Sequence, residues 1–277
     1  MGRFIISIVR PGTYPHSECF REVAETLQYG LEALGEEASI RENYFARDSW
    51  NIVLGAHLLP VHYQLPSKVI LYNLEQHESN AFKHCIEFKP ARDTVWWDYS
   101  KRNVNRLPQN WPLARMVPIG YMPQLSRIQP RKQDIDVLFY GSLNDRRRDI
   151  LGRLAEAGVH TELAYNVYGP ERDELIARAK IVLNVHFYKS NIFEVVRCSY
   201  LMANRKAIVS EVSEEIDADL KGGVHECHYD NIVYYCKFLL ANNNNRMALA
   251  ERGFEAFSWR DEREILKAAL EGATAAA

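Results

Sequence analysis

Short, almost unbroken apolar runs, each followed by a loop and an amphipathic segment, recur along the whole chain and restrict it to one architecture. Residues 4–9, 51–59 and 68–74 in the first half, and 135–140, 160–165, 181–187 and 207–210 in the second, show little polar alternation. Strands of that kind are covered on both faces, as in a parallel sheet. Between and after them the 3.6-residue period predicts helices over 18–34, 146–157, 171–179, 192–203, 231–241 and 260–270, the first two stopped by Gly35 and Gly158. Residues 93–107 read as a strand or turn leading into a helix, with Asn103 and Arg106 on its polar side. Strands alternating with helices in both halves predict an α/β chain of two Rossmann-like parallel-sheet domains. Residues 117–133, with Pro118, Gly120, Pro123 and Pro130, read as the linker. The expected domains are therefore 1–122 and 134–258, followed by a helix and tail over 259–277.

At 277 residues, 47% of them hydrophobic, the chain has material for two cores. A formal net charge of -2 gives no general field favouring nucleic acid or anionic lipid. Nucleic acid is thus an unexpected, though not an excluded, partner. The opening MGRFIISIVRPG is too short for a secretory apolar region, and no run approaches the roughly 18 apolar residues of a membrane span. The expectation is a cytoplasmic protein without a membrane span. Five cysteines without a CxxC pair favour reduced, packed thiols. His225, Cys227, His228 and Cys236 match no usual zinc spacing, so no metal is expected.

In a parallel α/β sheet, ligands bind beyond the carboxyl ends of the strands. The turn Gly141-Ser142 leads into a predicted helix whose first turn carries Arg146, Arg147 and Arg148, at the end where the macrodipole disfavours cations. A bound phosphate would relieve that conflict, and so would pairing with Asp145 and Asp149. Asn184 and His186 close the run 181–187, and Lys189 and Asn191 follow in a donor-rich loop. The next helix is apolar around most of its girth, so its Glu194 and Arg197, three residues apart, need partners. Asn191 and Glu194 have the spacing of a capping box, and Glu194 is also spaced to pair with Arg197; the other reading makes Arg197 a diphosphate partner and Glu194 a carboxylate for sugar or ribose hydroxyls. In the first half, His16 follows the first strand and Glu75 ends a buried one, and each is a candidate general base. The alternative for that loop is that Ser17 caps the helix and His16 is a surface residue. Gln76, His57 and Tyr99 are candidates to line the same site.

The order of strand, GSLNDRR, helix, then IVLNVHFYKSNIFEVVRCSYLMANRKAIVSE, a Tyr229-Asp230 turn and a closing FSWRDE helix resembles the donor-binding half of GT-B glycosyltransferases, closest to bacterial family-1-type enzymes. VILYNLEQ, VWWDYSKRN and VPIGY extend the likeness over most of the chain. It implies two domains facing a cleft, with a nucleotide-sugar donor against the second. The candidate donor-binding set is then Gly141, Ser142, Arg146, Arg147, Asn184, His186, Lys189, Asn191, Glu194 and Arg197. Many retaining members carry two glutamates at a fixed spacing. At that spacing from Glu194 stand Met202 and His186, and the following LMA segment aligns Tyr200 with the second glutamate. The retaining or inverting outcome is therefore open.

The expected activity is transfer of a sugar from a nucleotide-diphosphate donor to an acceptor hydroxyl, without a cofactor or metal. A nicotinamide dehydrogenase is disfavoured, because neither RPGTYP nor GSLNDRR supplies GxGxxG. The alternative is a noncatalytic nucleotide-sugar-binding subunit of a modifying complex.

Overall fold

The computed structural model describes residues 2–12, 14–87, 94–109, 111, 114–188 and 191–274. The chain divides into two compact units, one made of residues 1–122 with 260–277 and the other of residues 123–259.

The first unit runs β1 (Arg3–Ile8), α1 (Arg21–Ala33), β2 (Glu37–Glu42), β3 (Trp50–Leu54), β4 (Val69–Asn73), α2 (Asn80–Glu87), β5 (Val95–Asp98), α3 (Lys101–Val104) and β6 (Ala114–Met116). Its sheet is parallel throughout, in the order β2-β1-β3-β4-β5-β6. β4 and β5 are buried at every residue, which explains their unbroken apolar sequence. β2, EASIRE, lies at the edge and is partly exposed, so its sequence gives no apolar signal. The long first helix predicted over 18–34 instead opens with a 3-10 segment, Pro15–Phe20. Ser17 does not cap it: its hydroxyl donates to the Val9 carbonyl at 2.8 Å.

The second unit runs β7 (Ile135–Tyr140), α4 (Asp145–Glu156), β8 (Thr161–Ala164), α5 (Gly169–Arg178), β9 (Ala179–Asn184), α6 (Val195–Ala203), β10 (Ala207–Glu211), β11 (His225–Cys227), α7 (Ile232–Ala241) and α8 (Asn243–Ser258). Its sheet is again parallel, ordered β11-β10-β9-β7-β8. Val137, Phe139, Ile150, Leu154, Ile181, Leu183 and Val209 form its core. The stretch read as a linker is bound within the units. Val117 N–H donates to Asp98 O, while the Ser126 hydroxyl donates to Ala203 O and the Arg127 and Ile128 N–H groups to Asn204 Oδ1.

After α8 the chain returns to the first unit as α9 (Glu262–Thr274), which packs on α1. The approach is close: a Cβ on Gly30 of α1 would lie 2.6 Å from Leu266 Cδ1. Glu262 is buried and accepts the Gly120 N–H at 2.7 Å.

Candidate functional site

In the second unit the carboxyl ends of β7, β9 and β10 meet the N-terminus of α4. Asn144 caps α4, its Oδ1 accepting Arg147 N–H at 3.0 Å. Of the three arginines that follow, Arg147 turns inward and is 3% exposed. It donates to the Val185 carbonyl at 2.6 and 2.8 Å, to Ser142 O at 2.8 Å and to Glu194 Oε1 at 2.7 Å. Arg147 is thus a clamp that ties the β7 turn to the end of β9, and the dipole conflict is met by carbonyls and a carboxylate. Arg146 makes a two-pronged pair with Glu211 at 2.6 and 3.2 Å. Arg148 lies outside on Asp145 at 3.1 Å.

Arg197 completes the group. It pairs with Glu194 Oε2 at 2.9 Å, donates to Asn184 Oδ1 at 3.2 Å and stacks over Tyr140. Gly141 admits it: φ there is +126°, and a Cβ would lie 2.8 Å from Arg197 Nη2. Asn184 is aimed by donating to Ser210 Oγ at 3.0 Å. His186 is 1% exposed; its N–H donates to Glu211 Oε2 at 3.2 Å, and Nε2 faces the Val212 carbonyl and Ser213 hydroxyl. Burial alone would raise the Glu194 carboxyl, but Arg197, Arg147 and His186 outweigh it and hold it below the ordinary glutamate value. Arg146, Arg147 and Arg197 against Glu194 and Glu211 leave one positive charge in excess. A helix N-terminus and surplus guanidinium charge are the parts of an anion site.

The sequence-predicted residues Gly141, Ser142, Arg146, Arg147, Asn184, His186, Glu194 and Arg197 are therefore brought together here. Lys189 lies outside the described residues. The capping-box reading is overturned: α6 begins at Val195, and Glu194 is the residue before it, without a side-chain cap bond. Its carboxylate is drawn to Arg147 and Arg197 instead, and Asn191 is a left-handed residue at φ +46°. Tyr200 donates to Asp173 Oδ2 at 2.7 Å and accepts from Arg127 Nε at 3.1 Å, while Met202 is fully buried. Sequence reasoning missed Glu211 as a site residue; its position at the end of a buried strand was the available signal.

The first unit has its own strand-end pocket, lined by Phe20, His57, Asn73, Glu75 and Cys85 among others. His57 Nε2 stands 3.9 Å from Glu75 Oε1. Burial first, and His84 second, lower the imidazole to about 4, so it is neutral near pH 7. Beneath the pocket, burial pushes the Asp98 carboxyl up to about 7 against the pull of its hydrogen bonds. His16 sits in the 3-10 segment, half-buried, edge-on to Tyr14 at 5.1 Å. Among the described residues no group of three or more histidines, cysteines or acids is placed to hold a metal, and no helix is long and apolar enough to cross a membrane.

No family model matches the chain. Protein L140 of Acanthamoeba polyphaga mimivirus, itself uncharacterized, is 31% identical over 157 residues, covering 53% of this chain and 51% of that protein. Protein L138 of the same virus is 36% identical over 106 residues, which is 36% of this chain and 12% of that one. The chain thus spans about half the length of the first relative and much less of the second. Solved structures match end to end. AviGT4, a glycosyltransferase involved in avilamycin A biosynthesis, has a TM-score of 0.57 at 14% identity, covering 98% of this chain and 97% of its own. Anabaena HepE in complex with UDP-glucose reaches 0.60 at 9% identity over 99% of this chain and 100% of its own. An alpha-glucosyltransferase bound to UDP and a 13-mer DNA gives 0.55 at 11% over 99% and 100%. Two parallel-sheet units in one chain, matched over their whole length by enzymes of that build, identify the fold as that of the GT-B glycosyltransferases.

Proposed function

We propose that this chain is a glycosyltransferase that takes a sugar from a nucleotide-diphosphate donor and passes it to an acceptor hydroxyl. The single observation that carries the reading is the strand-end group of the second unit, where Arg197, seated against Gly141, and Arg146 stand at the end of the sheet with the α4 N-terminus. UDP and UDP-glucose, bound in the HepE structures, have the chemistry that such a group suits. In the proposed reaction the acceptor gives its hydroxyl proton to a base in the first unit, Glu75 in preference to His16. The acceptor oxygen bonds to the anomeric carbon, and the carbon–oxygen bond to the diphosphate breaks with its electron pair leaving on the nucleoside diphosphate. Arg197, Arg146 and the α4 N-terminus would neutralise that leaving group. Glu75 is favoured because it lines a strand-end pocket beside His57.

A melting-temperature screen against UDP, GDP and TDP, their sugars and NAD tests the binding half: a nucleotide-diphosphate form should stabilise the protein, and stabilisation by NAD alone overturns the reading. Release of nucleoside diphosphate from the stabilising sugar tests transfer, with water as acceptor. Binding without release would favour the noncatalytic subunit. Since guanidinium groups are assigned the leaving-group charge, EDTA should leave that release unchanged.

A further inference from the structure

Under the Glu75 turn lies a closed polar network that the transfer step itself does not use. Asp98 is 0% exposed. Its Oδ1 accepts from Ser100 N–H at 3.0 Å and Asn103 Nδ2 at 2.9 Å, and its Oδ2 from Asn73 Nδ2 at 2.7 Å and Trp96 Nε1 at 3.3 Å. The two amides pass the constraint upward. Asn73 Nδ2 and Asn103 Nδ2 both donate to the Glu75 carbonyl, at 2.9 and 2.8 Å. Asn73 Oδ1 accepts Glu75 N–H at 3.2 Å, and Asn103 Oδ1 accepts His77 N–H at 3.0 Å. An amide flipped end for end would lose every one of these bonds, and a carboxylate, which only accepts, holds both NH2 groups inward.

We infer that Asp98 is a positioning residue for Glu75: it sets the orientation of Asn73 and Asn103, which fix the main chain that presents the Glu75 carboxylate beside His57. The inference rests on Glu75 being the base of the proposed transfer. Its distinguishing consequence is non-additivity, because a residue that acts only through Glu75 has nothing left to contribute once Glu75 is disabled.

The test is UDP release from UDP-glucose by the full chain. Asp98→Asn, which puts a donor where an acceptor is needed, should lower kcat about tenfold or more while KM stays within about twofold. Glu75→Gln should lower kcat at least as far, and the double variant no further. Losses that multiply in the double variant, or an unaltered kcat in Asp98→Asn, overturn the inference. If Asp98→Asn does not fold, Asn73→Ser, which removes one amide, is read in the same way. Should the unaltered protein bind UDP-glucose yet release no UDP, the transfer reading fails on its own. Amide exchange then decides the positioning: faster exchange at Glu75 and His77 in Asp98→Asn supports it, and unchanged exchange overturns it.

Discussion

The strand ends of the two units solve opposite electrostatic problems. In the second unit full charges are kept charged: Glu194 is held low by Arg197 and Arg147, and Arg146 grips Glu211. In the first unit, burial drives groups toward neutrality, with His57 lowered to about 4, Asp98 raised to about 7 and Glu262 raised to about 8. One unit presents an ionic lattice suited to an anion; the other holds its buried titratable groups toward their neutral forms.

The sharpest way to break this contrast is to remove an ion from the lattice. Glu194→Ala strands Arg147, which is 3% exposed, and should cost about 3 kcal/mol in chemical denaturation; a loss near zero would mean that carbonyls alone satisfy the guanidinium. Arg197→Ala should next lower the affinity for UDP about tenfold or more with the fold retained, measured by calorimetry. Unaltered affinity would make Arg197 structural. A smaller effect concerns pH. Asp98 and Glu262 are raised in the fold, so between their unfolded and folded values the native state binds more protons and stability falls as pH rises. His57, lowered in the fold, acts oppositely but only below its unfolded value of about 6.5. Melting temperature should therefore drop from about pH 6.5 to 8.5, and Glu262→Gln should flatten that drop. An equal slope in the variant would remove Glu262 from the contrast. Least of all, Arg148→Ala removes an exposed pair and should shift stability by under about 0.5 kcal/mol. Weakened UDP binding there would add Arg148 to the anion site.

The sequence made the buried strands plain, because β1, β4, β7 and β9 must be apolar on both faces. It hid β2, whose exposed edge needs no apolar run, and α8, whose Asn243–Arg246 opening lacks one. Gly141, Asn184 and Arg197 were legible from the strand-end rule together with local spacing. What stayed out of sight were partnerships made by folding alone. Arg147 finds Val185 and Glu194 across 38 and 47 residues, Glu211 finds Arg146 across 65, and Glu262 finds Gly120 across 142. The same distance hid one of the two partners of Glu194: Arg197 stands three residues away in sequence, whereas Arg147 lies on α4.

The return of α9 to α1 has a consequence for the order of events during synthesis. The second unit is contiguous, from Pro123 to Trp259, whereas the first keeps the Gly30 side of α1 uncovered until Leu266 has been made. On a ribosome the usual N-to-C sequence of domain completion is therefore reversed. A chain ending near residue 259, once released, would hold a complete second unit and a first one still missing its closing helix.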